Sequence, residues 1–259
     1  LSGVTAALAM KQLGVPAGEG PGAELIISNL DIAMGVIAGT LTGLLCGAVN
    51  GALVSKGRIP PFIVTLGMMM VARGLALLMS GAVSVSGLPD AFKYLGGSRG
   101  WYIPVVITVS IVLVFAIVLA ATRFGRNIYA TGGNLRAARL SGIPVDRVRL
   151  YAYSLCGLLA GFGGVMLTSR TAIAQPTGAE MYELDAIAAC VIGGASLMGG
   201  EGGCIGALAG ALIMKVLINF CNLKGFDVYW QKVLVGALII ALVYYDNFRK
   251  RRAGILHEE

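Results

Sequence analysis

Residues 123–150 read RFGRNIYATGGNLRAARLSGIPVDRVRL, and the reading of this stretch decides the fold. Six arginines (Arg123, Arg126, Arg136, Arg139, Arg147 and Arg149) stand against one acid, Asp146, so five of the chain's seven net positive charges sit here. Charge-free apolar runs at 103–121 and 150–169 flank it, each close to the roughly 20 residues that an α-helix needs to cross a bilayer. Lys and Arg near span ends resist translocation. The basic stretch, 123–149, therefore belongs on the cytoplasmic side. A connector between spans needs only a few residues; one this long and patterned is expected to touch something in the cytoplasm.

The whole chain supports the membrane reading. Its 259 residues are 57% apolar and 13% charged, whereas soluble domains average about 25% charged residues. With a mean hydropathy of +0.82, the expected fold is all-α: one polytopic transmembrane bundle, residues 1–259, with about seven or eight spans or partial spans. The sequence pI near 9.3 reflects orientation in the membrane and not nucleic-acid binding, because the positive charge collects in cytoplasmic-type segments. Five cysteines (Cys46, Cys156, Cys190, Cys204, Cys221) lie in or beside apolar segments without CxxC spacing. They read as small core residues, not as a redox or metal set.

Alternation of charge gives a consistent topology. Residues 16–31 hold Glu19, Glu24 and Asp31 with no Lys or Arg, which suits an external loop. Residues 33–54 cross to a short basic turn at Lys56 and Arg58, and 62–80 return outward. An outer segment, 81–102, carries Asp90, Lys93 and Arg99. After 150–169 comes an outer stretch, 171–185, and then an apolar piece at 186–199 that is too short to span comfortably. A glycine break follows, then 204–222 and a last span at 228–245, which ends at the basic run Arg249–Arg252 on the inside. Residues 1–15 read as the tail of a span already under way, so the chain is expected to lack its N-terminus.

Glycine recurs every fourth residue at Gly35, Gly39, Gly43, Gly47 and Gly51, and again at Gly202, Gly206 and Gly210. On a helix this spacing makes a groove that lets a neighbouring backbone approach closely. Ordinary intrachain packing explains it; a subunit interface or a pathway lining is the sharper alternative.

Within the basic stretch, Asn134 suits an N-cap, Leu135–Ser141 give about two turns, Gly142 suits the position just past the helix end, and Pro144 forbids continuation. Leu135, Leu140, Ala137 and Ala138 can form an apolar surface, with Arg136 and Arg139 together on another face. So short a helix is unstable alone. It must dock on its own bundle, on anionic lipid headgroups or in a partner's groove.

Gly132-Gly133-Asn134, Ala137-Ala138 and Ser141-Gly142-Ile143 together resemble the coupling-helix loop of ABC importer permeases of the ribose/monosaccharide type. GLPDAFKYLG (87–96), QPTGAEMYELDAIAACVIGGASLMGGEG (175–202) and VYWQKVLVGALIIALVYYD (228–246) resemble the same family, in order and over nearly the whole chain. The resemblance implies an inner-membrane subunit that forms the pathway for a monosaccharide or related solute, in a homodimer or heterodimer with a second permease subunit. It further implies an ABC ATPase subunit, which the short helix would contact, and a periplasmic sugar-binding protein. No catalytic, cofactor or metal site is expected in this chain. No Gly-Lys dipeptide or GxGxxG occurs in it, so the phosphate-holding loop of an ATPase is missing; the one histidine, His257, lies in the polar tail.

Ionisable and polar groups in or beside spans are the remaining candidates, since burying them in lipid is costly. Asn50, Arg73, Glu183 and Asp185 are the candidates for an intramembrane or pathway role. Lys215 lies in ALIMKVLINF and can snorkel to an interface. A secondary transporter driven by an ion gradient remains the alternative. That class favours broken helices, which the 186–203 region fits, but also midplane carboxylates.

Overall fold

The computed structural model describes residues 1–16, 25–26, 28–97 and 100–252. Glu19, Glu24, Arg99 and His257 lie outside the described residues. Eleven helices are described: α1 (Ser2–Leu13), α2 (Asn29–Ser55), α3 (Pro61–Ser80), α4 (Asp90–Lys93), α5 (Tyr102–Ala121), α6 (Arg123–Gly133), α7 (Leu135–Leu140), α8 (Val145–Thr171), α9 (Tyr182–Ile192), α10 (Cys204–Leu223) and α11 (Val228–Arg252). The fold is the expected all-α polytopic bundle. The departure from pure helix is small: β1 (Val15–Pro16) pairs antiparallel with β2 (Leu25–Ile26), and Val85 bridges Ala174.

Among the described residues, five helices are long and apolar enough to cross a membrane: α2, α3, α5, α8 and α10. At 12 and 11 residues, α1 and α9 are too short to cross. The basic stretch is not a loop. It folds as α6, α7 and the first turns of α8, which starts five residues before the apolar run that marks it in the sequence.

The chain divides into two compact units, each assembled from separated stretches. The first comprises Leu1–Val109 and Pro144–Ala179. Its α2 starts on a capping box: the Leu30 amide donates to Ser28 Oγ at 3.0 Å, and the Ser28 amide to Asp31 Oδ2 at 2.8 Å. That satisfies donors the first turn would otherwise leave open. The glycine ladder of α2 then packs within this unit. Gly35 and Gly39 meet α1 at Met10 and Ala6, while Gly43 and Gly47 meet Gly161 and Gly157 of α8. A Cβ on Gly43 would come within 2.6 Å of Gly161 Cα, so backbone sits on backbone. All of these neighbours belong to the same chain.

The segment around α4 caps this unit. Phe92 of α4 is fully buried with Leu88, Ala174, Met10 and Val165, and the buried Ser169 hydroxyl donates to the Phe92 carbonyl at 2.6 Å. The apolar motif GLPDAFKYLG thus serves as a plug against the end of α8.

The second unit comprises Ser110–Ile143 and the chain from Glu180 onward. Here α9 runs antiparallel along α10, with Gly193 against Gly206 and Ala189 against Gly210. Ala188, Ala189 and Met214 form its small core, with Val235 and Leu238 of α11 packed against them. The expected second ladder loses its first rung: Gly202 lies outside α10, which begins at Cys204. Its φ of 134° is open to glycine and strained for other residues, and a Cβ there would meet the Ala195 Cβ at 2.9 Å. Gly206 and Gly210 keep the packing role.

Candidate coupling surface and intramembrane polar groups

The hinge between α5 and α6 is built by Thr122. Its Oγ1 donates to the Val118 carbonyl at 2.6 Å and accepts from the Gly125 amide at 3.2 Å, ending one helix and starting the next. Gly125 is buried directly against the Leu119 backbone, which a side chain would prevent. The sequence reading missed α6. Its signal was the Thr122 cap and the pattern of Phe124, Ile128 and Tyr129 against Arg123 and Arg126.

The glycines that end α6 meet a second glycine-rich segment. Gly132 and Gly133 lie against Gly199 and Gly200 of the α9–α10 loop; a Cβ on Gly200 would be 2.8 Å from Gly133 Cα. Gly199 and Gly200 have φ of 92° and 79°, so the loop takes a course that other residues resist. The Tyr129 hydroxyl donates to the Gly202 carbonyl at 2.7 Å.

The capped helix forms as expected. Asn134 Oδ1 accepts from the Ala137 amide at 3.0 Å. At the other end the Ile143 amide donates to the Ala138 carbonyl at 3.1 Å and the Gly142 amide to the Arg139 carbonyl at 3.0 Å. With Gly142 at φ 78°, this is a complete Schellman motif. The Ser141 hydroxyl adds a bond to the Ala137 carbonyl at 3.0 Å. The expected apolar surface is split, however. Ala138 is 4% exposed and faces inward, whereas Leu140 is 90% exposed beside exposed Arg136, Ala137 and Arg139. Alternation of burial on a helix of six residues separates neighbours that composition alone groups together.

The four polar candidates fall on three helices, α2, α3 and α9. Asn50 lies in α2 between Gly47 and Gly51, and its Oδ1 is buried with no hydrogen-bond partner among the described residues. Arg73 is half-buried in the middle of α3. Glu183 and Asp185 are in the first turn of α9, Glu183 exposed and Asp185 half-buried. Tyr182, in the same turn, has its ring centroid 5.3 Å from Lys215 Nζ. Lys215 thus turns toward α9.

Five apolar helices long enough to cross a membrane, with a short, doubly capped helix that exposes an apolar tip, are the architecture of a multi-span membrane protein. Residues 1–243 match the family described as branched-chain amino acid transport system / permease component, and the chain belongs to that family. It is 43% identical over 235 residues, 89% of this chain and 72% of the relative, to the ribose import permease protein RbsC of Bacillus subtilis (strain 168). The Escherichia coli (strain K12) protein of the same name is 40% identical over 231 residues, 87% of this chain and 72% of that one. The L-arabinose ABC transporter permease protein AraH of Azospirillum brasilense is 38% identical over 230 residues, 88% of this chain and 68% of its own length. No solved structure matches the chain. The protein is the transmembrane subunit of a binding-protein-dependent ABC importer, with hydrolysis in a separate ATPase subunit. It is a multi-pass membrane protein.

Proposed function

We propose that the chain forms the translocation pathway of an importer for a monosaccharide or a closely related polyol. The ribose and arabinose relatives support that solute class. Residues 1–259 act as one permease module in the bacterial inner membrane, paired with an identical or homologous second permease subunit and surrounded by lipid. Residues 123–149 and the basic end of α11 are cytoplasmic, following their charge. A periplasmic sugar-binding protein delivers the solute at the opposite face.

The carrying observation is the doubly capped α7 with Leu140 90% exposed. A short helix so rigidly terminated is pre-organised to enter a groove with little ordering cost. Gly132, Gly133, Asn134, Ala137, Ala138, Ser141, Gly142 and Ile143 are its coupling set. In this reading Leu140 is the apolar anchor in the ATPase groove, and Arg136 and Arg139 are its polar rim. Asn134, Ser141, Gly142 and Ile143 hold the helix ends, while Gly132 and Gly133 pass its displacement to the Gly199–Gly202 loop. Closure of the ATPases on ATP then moves α7, and the pathway alternates between inward and outward openings. The chain's own residues bind, orient and move; no covalent step falls to them.

The test is purification of the whole complex from its native membrane, followed by uptake into proteoliposomes with binding protein present. ATP-dependent uptake of D-ribose or L-arabinose, independent of an imposed ion gradient, is expected. Uptake that follows an ion gradient and ignores ATP overturns the reading.

A further inference from the structure

Lys215 is the twelfth of the 20 residues of α10. At 1.5 Å per residue its Cα lies about 16 Å from the Cys204 end and about 12 Å from the Leu223 end, near the middle of a hydrocarbon core roughly 30 Å thick. The antiparallel packing of α9 brings Tyr182 to the same level, its ring 5.3 Å from Lys215 Nζ. Glu183 and Asp185 follow in that first turn of α9, Glu183 exposed like Tyr182 and Lys215, Asp185 half-buried.

The polar character does not stop there. Asn219 and Asn222 stand four and seven residues beyond Lys215, on the same face of α10, and both are exposed. At the far end Gln231 of α11 donates to Asn222 Oδ1 at 2.6 Å. An ammonium at mid-depth and a line of amides leading to the helix end are incompatible with a lipid-facing surface, because ions and amides in hydrocarbon are expensive. The opposite side of α10 carries exposed Ile213 and Phe220 and suits lipid.

We infer that the Lys215–Asn219–Asn222 stripe, with Tyr182 beside it, lines the water-filled translocation pathway from mid-membrane to the end of α10. Resting on the proposed importer function, its solute is a neutral polyhydroxylated molecule. Amide groups donate to and accept from its hydroxyls, and the Tyr182 ring covers its C–H face.

The experiment uses the assembled transporter with Cys46, Cys156, Cys190, Cys204 and Cys221 replaced by alanine. Single cysteines are then placed at Lys215, Asn219, Ile213 and Phe220. The thiolate, which forms in water and not in hydrocarbon, attacks a charged, membrane-impermeant methanethiosulfonate and displaces methanesulfinate to give a mixed disulfide, so K215C and N219C react at least about tenfold faster than I213C and F220C. Equal rates at all four positions overturn the assignment. So does silence at K215C and N219C with disulfide cross-linking between copies, which makes the stripe a subunit interface. Asn219→Leu is expected to lower uptake several-fold per ATP hydrolysed, with Asn219→Gln restoring it; wild-type uptake in Asn219→Leu counts against a solute-facing role. Uptake by the cysteine-free parent separates the two readings. Intact ATP-driven uptake with equal labelling rates removes the pathway face alone. The predicted labelling pattern without ATP-driven uptake of any monosaccharide removes the importer reading and leaves the aqueous face standing.

Discussion

The Tyr129 hydroxyl is hydrogen-bonded to the Gly202 carbonyl at 2.7 Å, which ties α6 to the loop between α9 and α10. With Gly132 and Gly133 lying on Gly199 and Gly200, a displacement of α7 has a short mechanical route to α9. Coupling carried this way runs through packed contacts and hydrogen bonds such as this one. Tyr129→Phe keeps the ring and removes the bond, a net loss of about 0.5–1.5 kcal/mol. ATP hydrolysis by the complex is expected to persist while sugar uptake per ATP falls roughly two- to tenfold, following that energy. Parallel assays of phosphate release and uptake in proteoliposomes check it; an unchanged ratio removes Tyr129 from the route.

Leu140 tests the docking surface itself. A fully exposed leucine at the end of a capped helix contributes nothing to this chain's own core, so its replacement leaves the fold alone. If it fills a groove in the ATPase, Leu140→Asp costs at least about 2 kcal/mol of association, or roughly 30-fold in affinity. Co-purification should fall while the yield of membrane-inserted permease stays constant. Leu140→Met, similar in volume and apolar character, is expected to retain both.

Much of this was legible in the sequence because the bilayer imposes simple rules. Span length, charge asymmetry and the caps of α7 (Asn134, Gly142, Pro144) each carry a local signal that needs no tertiary information. What the sequence hid was tertiary. Gly157 and Gly161 of α8 have the same four-residue spacing as Gly43 and Gly47, yet pairing the two ladders requires knowing that α2 and α8 lie antiparallel. Gly202 follows the ladder's spacing but sits outside the helix, since period alone does not mark where α10 begins. Likewise Ala138 and Leu140 are both apolar and two residues apart, and only the fold sends one inward and the other out. The polar stripe on α10 escaped because Asn219 and Asn222 gain meaning only beside Lys215 on one face of a single helix.

Gly142 separates conformation from chemistry. At φ 78° a β-branched side chain is strained by about 1–2 kcal/mol or more, and the Schellman bonds to Ala138 and Arg139 are expected to open. Gly142→Val should therefore uncouple hydrolysis from uptake and speed proteolysis between Arg139 and Arg147. Gly142→Asn, which tolerates the left-handed region, should stay close to wild type. Uptake assays on both variants with limited trypsin digestion decide the point. Equal behaviour of Val and Asn means the cap is dispensable.

The α2–α8 contact sets the limit on what the first unit tolerates. Gly43 has the Gly157 carbonyl and Gly161 Cα directly against it, 2.6 Å from where its Cβ would be in the second case. Backbone cannot rotate away as a flexible side chain can, so the helices must separate along much of the seam. Overpacking a well-filled site costs typically 1–3 kcal/mol and more where no rotamer relieves it. In lipid the loss falls on van der Waals packing, because no hydrophobic effect holds the helices together. Gly43→Leu is expected to lower the yield of folded protein and its Tm in mild detergent, and Gly43→Ala to do so less. Gly67 of α3 is the internal control: a Cβ there meets nothing within 4 Å, so Gly67→Ala should be neutral or slightly stabilising through helix propensity. If Gly43→Leu and Gly67→Ala melt together at the wild-type temperature, the glycine seam is not what holds α2 to α8.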